Sequence, residues 1–318
     1  MSTLFLFIAS FFALIWSANH LVSGATNLAI HYKVPTLLVG LTIVAIGTSA
    51  PEIFFSISSA LANKDELTIG NAIGSNIANI GLILGITLFL KPNALDHYKL
   101  KKTIPVLLII MLFAYSLMLD GYLGRVDGCL FLIGCLASIS YFIHLVNHSK
   151  NKDMFVNQFQ GGSHTNRTVV ANFVSIGIGL ILLPISSKFL VLTAAAFAKW
   201  SGFSELTVGL TIISIGTSLP ELATALIAVY KDEEALAVGT ILGSNIYNLL
   251  LILAFPSLIT PNKVSTVVIW RDMPVLIAIT LLLLMINYYY KKKSSWHGGV
   301  LLLVYFSYLA SMLVKSSS

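Results

Sequence analysis

The sequence predicts an all-α polytopic membrane protein of ten transmembrane helices, arranged as two inverted five-helix repeats. Three observations predict it. The first is composition: of 318 residues, 57% are hydrophobic and only 10% charged, with a mean hydropathy of +0.88. An ordinary soluble domain is about 25% charged, because its outside must face water. The second is a series of apolar stretches, each near the ~20 residues that cross a bilayer as a helix. The third is an internal repeat. This composition argues against a soluble enzyme, a disordered chain and a nucleic-acid binder.

Cutting the chain at polar and Pro/Gly-rich breaks places ten spans at roughly 3–30, 36–62, 69–90, 103–119, 126–147, 169–198, 205–230, 236–259, 272–290 and 297–314. The first is a span and not a secretory signal, because no Lys or Arg precedes Lys33 and the apolar run is too long. With the N-terminus outside, twelve Lys and Arg fall in cytoplasmic segments and six in outer ones. That bias orients both termini outward. The net charge of +6 is thereby explained by topology rather than by an anionic partner. The hydrophilic stretch 148–168 reads as a cytoplasmic linker between an N-terminal repeat, 1–147, and a C-terminal repeat, 169–318. Cys129 and Cys135 form no CxxC pair, so neither a zinc site nor a disulfide framework is expected.

Shifted by 169 residues, 39–84 aligns with 208–253 without a gap, with 21 identities in 46 positions. GLTIVAIGTSAPE meets GLTIISIGTSLPE, and GSNIAN meets GSNIYN. Apolar chains share Leu and Ile by chance, but not matched Gly, Thr, Ser, Pro, Glu and Asn. Five spans separate the copies, so the second enters the membrane from the opposite side. Inverted repeats are a design of secondary transporters, with the site near the midplane where the copies meet.

Glu52 and Glu221 lie about sixteen residues into spans two and seven. A charge at that depth costs at least ~2.5–3.5 kcal/mol on insertion scales and marks a functional site by default. Each follows a proline, Pro51 or Pro220. Proline clashes with the carbonyl four residues back, here that of Gly47 or Gly216, so a kink that frees backbone oxygens is expected. Thr48, Ser49, Thr217 and Ser218 add hydroxyls. On the next span of each repeat, Ser75 and Asn79 share a helix face at i,i+4, as do Ser244 and Asn248. The donor set is therefore all oxygen, suited to hard cations such as Ca²⁺, Mg²⁺ or Na⁺. His20 and Lys188 sit in spans one and six at nearly equivalent repeat positions, where long polar side chains reach toward headgroups or water. The acidic residues Asp232, Glu233 and Glu234 read as a solvated turn.

At these motifs, 36–90 and 205–259, the sequence resembles the sodium/calcium exchanger family of the cation/calcium antiporter superfamily, in its compact prokaryotic form. The resemblance implies that Glu52 and Glu221, with backbone oxygens of Thr48 and Thr217, hold Ca²⁺. It implies Na⁺ sites that use the same glutamates with Ser49, Ser75, Ser218 and Ser244 and the backbone oxygens of Ala45 and Ser214. Asn79 and Asn248 would line the central position, and spans one and six would slide to alternate access. Family members often carry an Asp at one central position. Here both are Asn, and Thr240 replaces the Asn that Asn71 supplies in the first repeat.

A site charge of −2 is cancelled by one Ca²⁺ or two Na⁺. The expected function is Ca²⁺ exchange for Na⁺, with Ca²⁺/H⁺ exchange, transport of another divalent cation, or a passive cation channel as alternatives. The expected partners are Ca²⁺, Na⁺ and lipid, with no cofactor and no evident protein partner. No enzyme is expected, since no base is placed beside Ser49 or Ser218.

Overall fold

A computed structural model describes residues 2–62, 65–95, 100–147, 168–200, 216–289 and 294–316. Helices account for almost all of it. In chain order they are α1 (Ser2–His31), α2 (Thr36–Thr48), α3 (Ala50–Leu61), α4 (Thr68–Leu90), α5 (Leu100–Met118), α6 (Arg125–Asn147), α7 (Val169–Trp200), α8 (Leu219–Tyr230), α9 (Glu234–Ile259), α10 (Val268–Tyr289) and α11 (Ser295–Ser316). Among the described residues, seven helices are long and apolar enough to cross a membrane, and the bent pair α2–α3 makes an eighth span. The chain is a helical, multi-pass membrane protein. Of the other two predicted spans, the seventh is represented by α8, because residues 201–215 lie outside the described residues, and the tenth by the 22-residue α11. The linker 148–167 also lies outside them.

α1 and α7 have 30 and 32 residues. At 1.5 Å per residue each is about 45 Å long or more, well beyond the ~30 Å hydrocarbon core, so they must tilt. They pack against each other through small residues. A Cβ on Gly24 would stand 2.8 Å from the Asn172 carbonyl oxygen, and one on Gly179 2.6 Å from Leu21 Cβ. Such close backbone approach is how membrane helices associate without a hydrophobic driving force. Polar pairs run along the same seam: Asn27 Nδ2 donates to Asn172 Oδ1 at 3.2 Å, and His20 Nδ1 lies 2.8 Å from Ser175 Oγ. His20 thus bonds within this seam instead of reaching to a headgroup, because the crossing helix supplies a hydroxyl at its depth.

The motif helices form the centre. Over its most apolar window, α9 is 94% buried and α4 72%, against 33% for α1 and α7. Both central helices contain a π-helical turn, over Asn79–Leu84 in α4 and Asn248–Ile252 in α9. The two turns start 169 residues apart, the spacing of the repeat. π-turns interrupt the regular ladder and are frequent at functional sites. α2 and α9 meet through Gly40 and Gly239: a Cβ on Gly239 would fall 2.3 Å from the Leu37 carbonyl oxygen.

The bend expected at Pro51 is present; residues 201–215, which precede Pro220, lie outside the described residues. α2 and α3 meet at 42°, with Ser49 between them at φ −83°, ψ 3°. Ser218 precedes α8 with φ −92°, ψ 8°. Both serines occupy the bridge region of backbone space, which active-site residues often use. Proline sits at the first turn of the helix that follows, where its missing N–H leaves no intrahelical bond unmade.

Two ties cross between loops. Tyr122–Leu123 pairs antiparallel with Asn262–Lys263, joining the α5–α6 loop to the α9–α10 loop. Lys91, after α4, forms an ion pair with Asp232, between α8 and α9. The Asp232 turn is therefore tethered as well as solvated, a long-range pairing that local sequence does not display.

Candidate functional site

The two proline-preceded glutamates converge. Glu52 and Glu221 are each 2% exposed, and Ser49, three residues before Glu52, donates to Glu221 Oε1. Glu52 enters from the first turn of α3 and Glu221 from the first turn of α8.

Glu221 is held by hydroxyls. Its Oε1 accepts from Ser49 Oγ at 3.2 Å and Ser244 Oγ at 3.4 Å, with Thr48 also in reach. Thr48 Oγ1 lies 3.4 Å from Ser244 Oγ. Ser49 and Thr48 come from the first repeat and Glu221 from the second, so the site is built across the repeat interface. Glu52 forms part of the wall of a cavity of about 480 Å³ together with Asn71, Lys188 and Thr217.

Many oxygens of the predicted set are buried with no hydrogen-bond partner: Glu52 Oε2, Glu221 Oε2, Ser75 Oγ, Ser218 Oγ, Asn79 Oδ1 and Asn248 Oδ1. Leaving one buried polar atom unpaired costs roughly 1–3 kcal/mol, more if charged, so native proteins keep few of them. Four of the six come in repeat-related pairs, Glu52 with Glu221 and Asn79 with Asn248, while Ser49 and Ser244, the mates of Ser218 and Ser75, donate to Glu221. A cluster of unpaired acceptors with two negative charges is what a hard cation would satisfy. Among the described residues no group of three or more His, Cys, Asp or Glu could hold a metal, which leaves the donor set without the soft ligands that transition metals prefer.

The backbone oxygens behave differently from expectation. The Ala45 carbonyl accepts the Ser49 N–H at 3.0 Å and the Thr48 hydroxyl at 3.3 Å, so it is occupied within its own helix. The Gly216 carbonyl, which Pro220 strips of its helical donor, accepts from Ser187 Oγ of α7 at 3.1 Å. The proline frees the oxygen as expected, but a neighbouring helix takes it. Ser214 lies outside the described residues.

Asn76 and Asn245 were not singled out by spacing, since they fall one position beyond the Ser75 and Ser244 faces. Asn76 Nδ2 donates to the Asn245 carbonyl at 3.2 Å, and the Oδ1 atoms of both have no partner. They are repeat mates that link α4 to α9. Their identity in the two copies was the available signal.

The family described as sodium/calcium exchanger protein matches residues 2–144 and 171–314. The chain is 35% identical over 279 residues to the inner membrane protein YrbG of Escherichia coli, covering 87% of this chain and 86% of that one. It is 28% identical over 302 residues to the sodium/calcium exchanger MaX1 of Methanosarcina acetivorans, covering 85% and 86%. Among solved structures, the sodium-calcium exchanger NCX_Mj soaked with Na⁺ and Ca²⁺ superposes with a TM-score of 0.84 at 31% identity, over 98% of both chains. Nearly every described helix thus has a counterpart in an exchanger fold, both halves of the chain fit the family, and the chain belongs to the sodium/calcium exchanger family of membrane antiporters.

Proposed function

We propose that this protein exchanges Ca²⁺ for Na⁺ across the prokaryotic cell membrane by alternating access, with both termini outside and the two halves, 1–147 and 169–318, acting as inverted repeats. One observation carries the reading: two buried glutamates from equivalent positions converge among repeat-related oxygens that lack partners. Ca²⁺ would be held by Glu52 and Glu221 with backbone oxygens of Thr48 and Thr217. Na⁺ would use the glutamates with Ser49, Ser75, Ser218 and Ser244, and the backbone oxygens of Ala45 and Ser214. For Ala45 that requires its two present donors to move away.

The rule of exchange follows from charge. Closing an empty site would strand two unpaired carboxylates in a low dielectric, at a cost of several kcal/mol each. One Ca²⁺ or two Na⁺ bring the site to neutrality, so a loaded carrier closes and an empty one does not. α1 and α7, packed on each other at the periphery, are the pair that would slide past the buried α4 and α9.

The neutral Asn79 and Asn248 favour one second reading, H⁺ as the coupling ion, because two carboxylates alone can be neutralised by two protons. Purified protein in proteoliposomes loaded with ⁴⁵Ca²⁺ separates the two. Efflux driven by an inward Na⁺ gradient, and not by K⁺ or a pH gradient, is the expected result. Efflux that follows the pH gradient alone would replace Na⁺ by H⁺. Rapid Ca²⁺ efflux with no counter-ion would sink exchange altogether and point to a channel.

A further inference from the structure

The cavity beside Glu52 has a second charged side chain on its wall. Lys188 is the twentieth residue of α7, deep within a 32-residue apolar helix. Of the residues that line the cavity, Glu52 and Lys188 alone are charged, and most others are apolar, Phe54, Phe55 and Pro184 among them. Among the described residues Lys188 has neither an ion-pair nor a hydrogen-bond partner. Its neighbour Ser187 is 4% exposed and donates to the Gly216 carbonyl at 3.1 Å. That bond anchors α7 to the segment that carries Thr217 and Ser218, and sets the helix register at which Lys188 lines the cavity. An ionisable residue at membrane depth generally faces a pathway and pairs within it, and a poorly hydrated wall strengthens attraction between unlike charges.

We propose that Lys188 is a tethered cation of the transport cycle: when the bound cation leaves, its ammonium approaches Glu52 and supplies one of the positive charges needed for closure. This rests on the exchange reading above. With Ca²⁺ bound, the carboxylates are neutralised and Lys188 is held away. On the return step, Lys188 and one Na⁺ balance the two carboxylates, where two Na⁺ would otherwise be required. Lys188 thereby lowers the Na⁺ number per Ca²⁺ by one and competes with Ca²⁺ for Glu52. The repeat mate of Lys188 is Asn19, which carries no charge, so the competition acts at one of the two mirror-related openings only.

The test uses the full-length protein in proteoliposomes. The coupling number is read as the Na⁺ gradient that just holds a fixed ⁴⁵Ca²⁺ gradient at zero net flux. Lys188→Gln should need one more Na⁺ per Ca²⁺ than wild type and should take up Ca²⁺ with roughly fivefold or more tighter apparent affinity. Lys188→Arg should keep the wild-type number. Should Lys188→Gln fail to fold, Lys188→Cys in a background lacking Cys129 and Cys135 gives the same reading before aminoethylation. It should return to the wild-type number after aminoethylation restores the amine. Wild type that exchanges, with an unchanged coupling number and affinity in both neutral variants, overturns the role of Lys188 alone and leaves it a lipid-facing anchor. Wild type that shows no Na⁺-driven Ca²⁺ flux overturns the exchange reading and this proposal with it.

Discussion

Glu52 and Glu221 occupy the same place in two copies of one motif, yet their surroundings differ. Glu221 is enclosed by Ser49, Ser244 and Thr48, whereas Glu52 lines a cavity with Asn71, Lys188 and Thr217. The local backbone does not make the difference. Ser49 and Ser218 have nearly the same dihedral angles, and both helices begin with proline. What differs is the side chain that α7 brings to each bend: Leu180 stands over Gly47, whereas Val191 stands over Gly216 and Ser187 holds its freed carbonyl. If the alternating access proposed above operates, the two half-sites would take turns at being enclosed.

The most damaging way to break this comparison is to remove either carboxylate. Glu52→Gln and Glu221→Gln should each reduce Ca²⁺ flux on the order of 100-fold or more, as loss of one partner from a buried charge cluster costs about 3–5 kcal/mol. Flux in proteoliposomes, with monodispersity as the fold control, checks it; a wild-type rate in either variant would falsify the site. Next, if enclosure alternates, Ser49→Ala and Ser218→Ala should raise the Ca²⁺ concentration for half-maximal flux about equally, by roughly tenfold each. A hydrogen bond to a charged group contributes ~1.5–3 kcal/mol. A large effect for Ser49 with none for Ser218 would mean that the asymmetry is permanent.

A third variant addresses packing. Gly239→Ala would press a methyl into the Leu37 carbonyl oxygen, a clash of the overpacking kind that costs ~1–3 kcal/mol. Thermal unfolding in detergent should fall by several degrees, while Gly299→Ala, where a Cβ meets nothing within 4 Å, should change it little.

The smallest effect lies outside the membrane, at the turn before α9. Partial burial and the neighbouring Glu234 and Asp232 push Glu233 up to about 7. A raised carboxyl favours the protonated folded state. Its stabilising contribution is present below the ordinary value near 4.5 and is lost as pH rises through about 7. Glu233→Gln should therefore flatten the decline in melting temperature between pH 5 and 8. The nearby Lys91–Asp232 pair is largely exposed, and Asp232→Asn should leave the melting temperature nearly unchanged.

Much of the architecture was legible because membrane insertion is read one segment at a time. Apolar length set the spans to within a few residues, and proline placed the bend at Ser49. The glutamates stood out because no local reason exists for a charge at that depth. The π-turns at Asn79 and Asn248 were not legible, since they insert one residue into a ladder without changing composition. Nor were the His20–Ser175 and Asn76–Asn245 links, which join residues 155 and 169 positions apart. Such contacts depend on which helices become neighbours, and hydropathy carries no information about that.

The amino-acid order by itself determined a membrane-embedded helical chain with a repeated motif, each copy contributing one acid and a set of neutral oxygens, because these are properties of composition and spacing. Only tertiary packing decided which acid is enclosed and which meets a cavity. Two copies of one motif have the same local preferences, so the choice between them falls to the side chains that neighbouring helices bring to each.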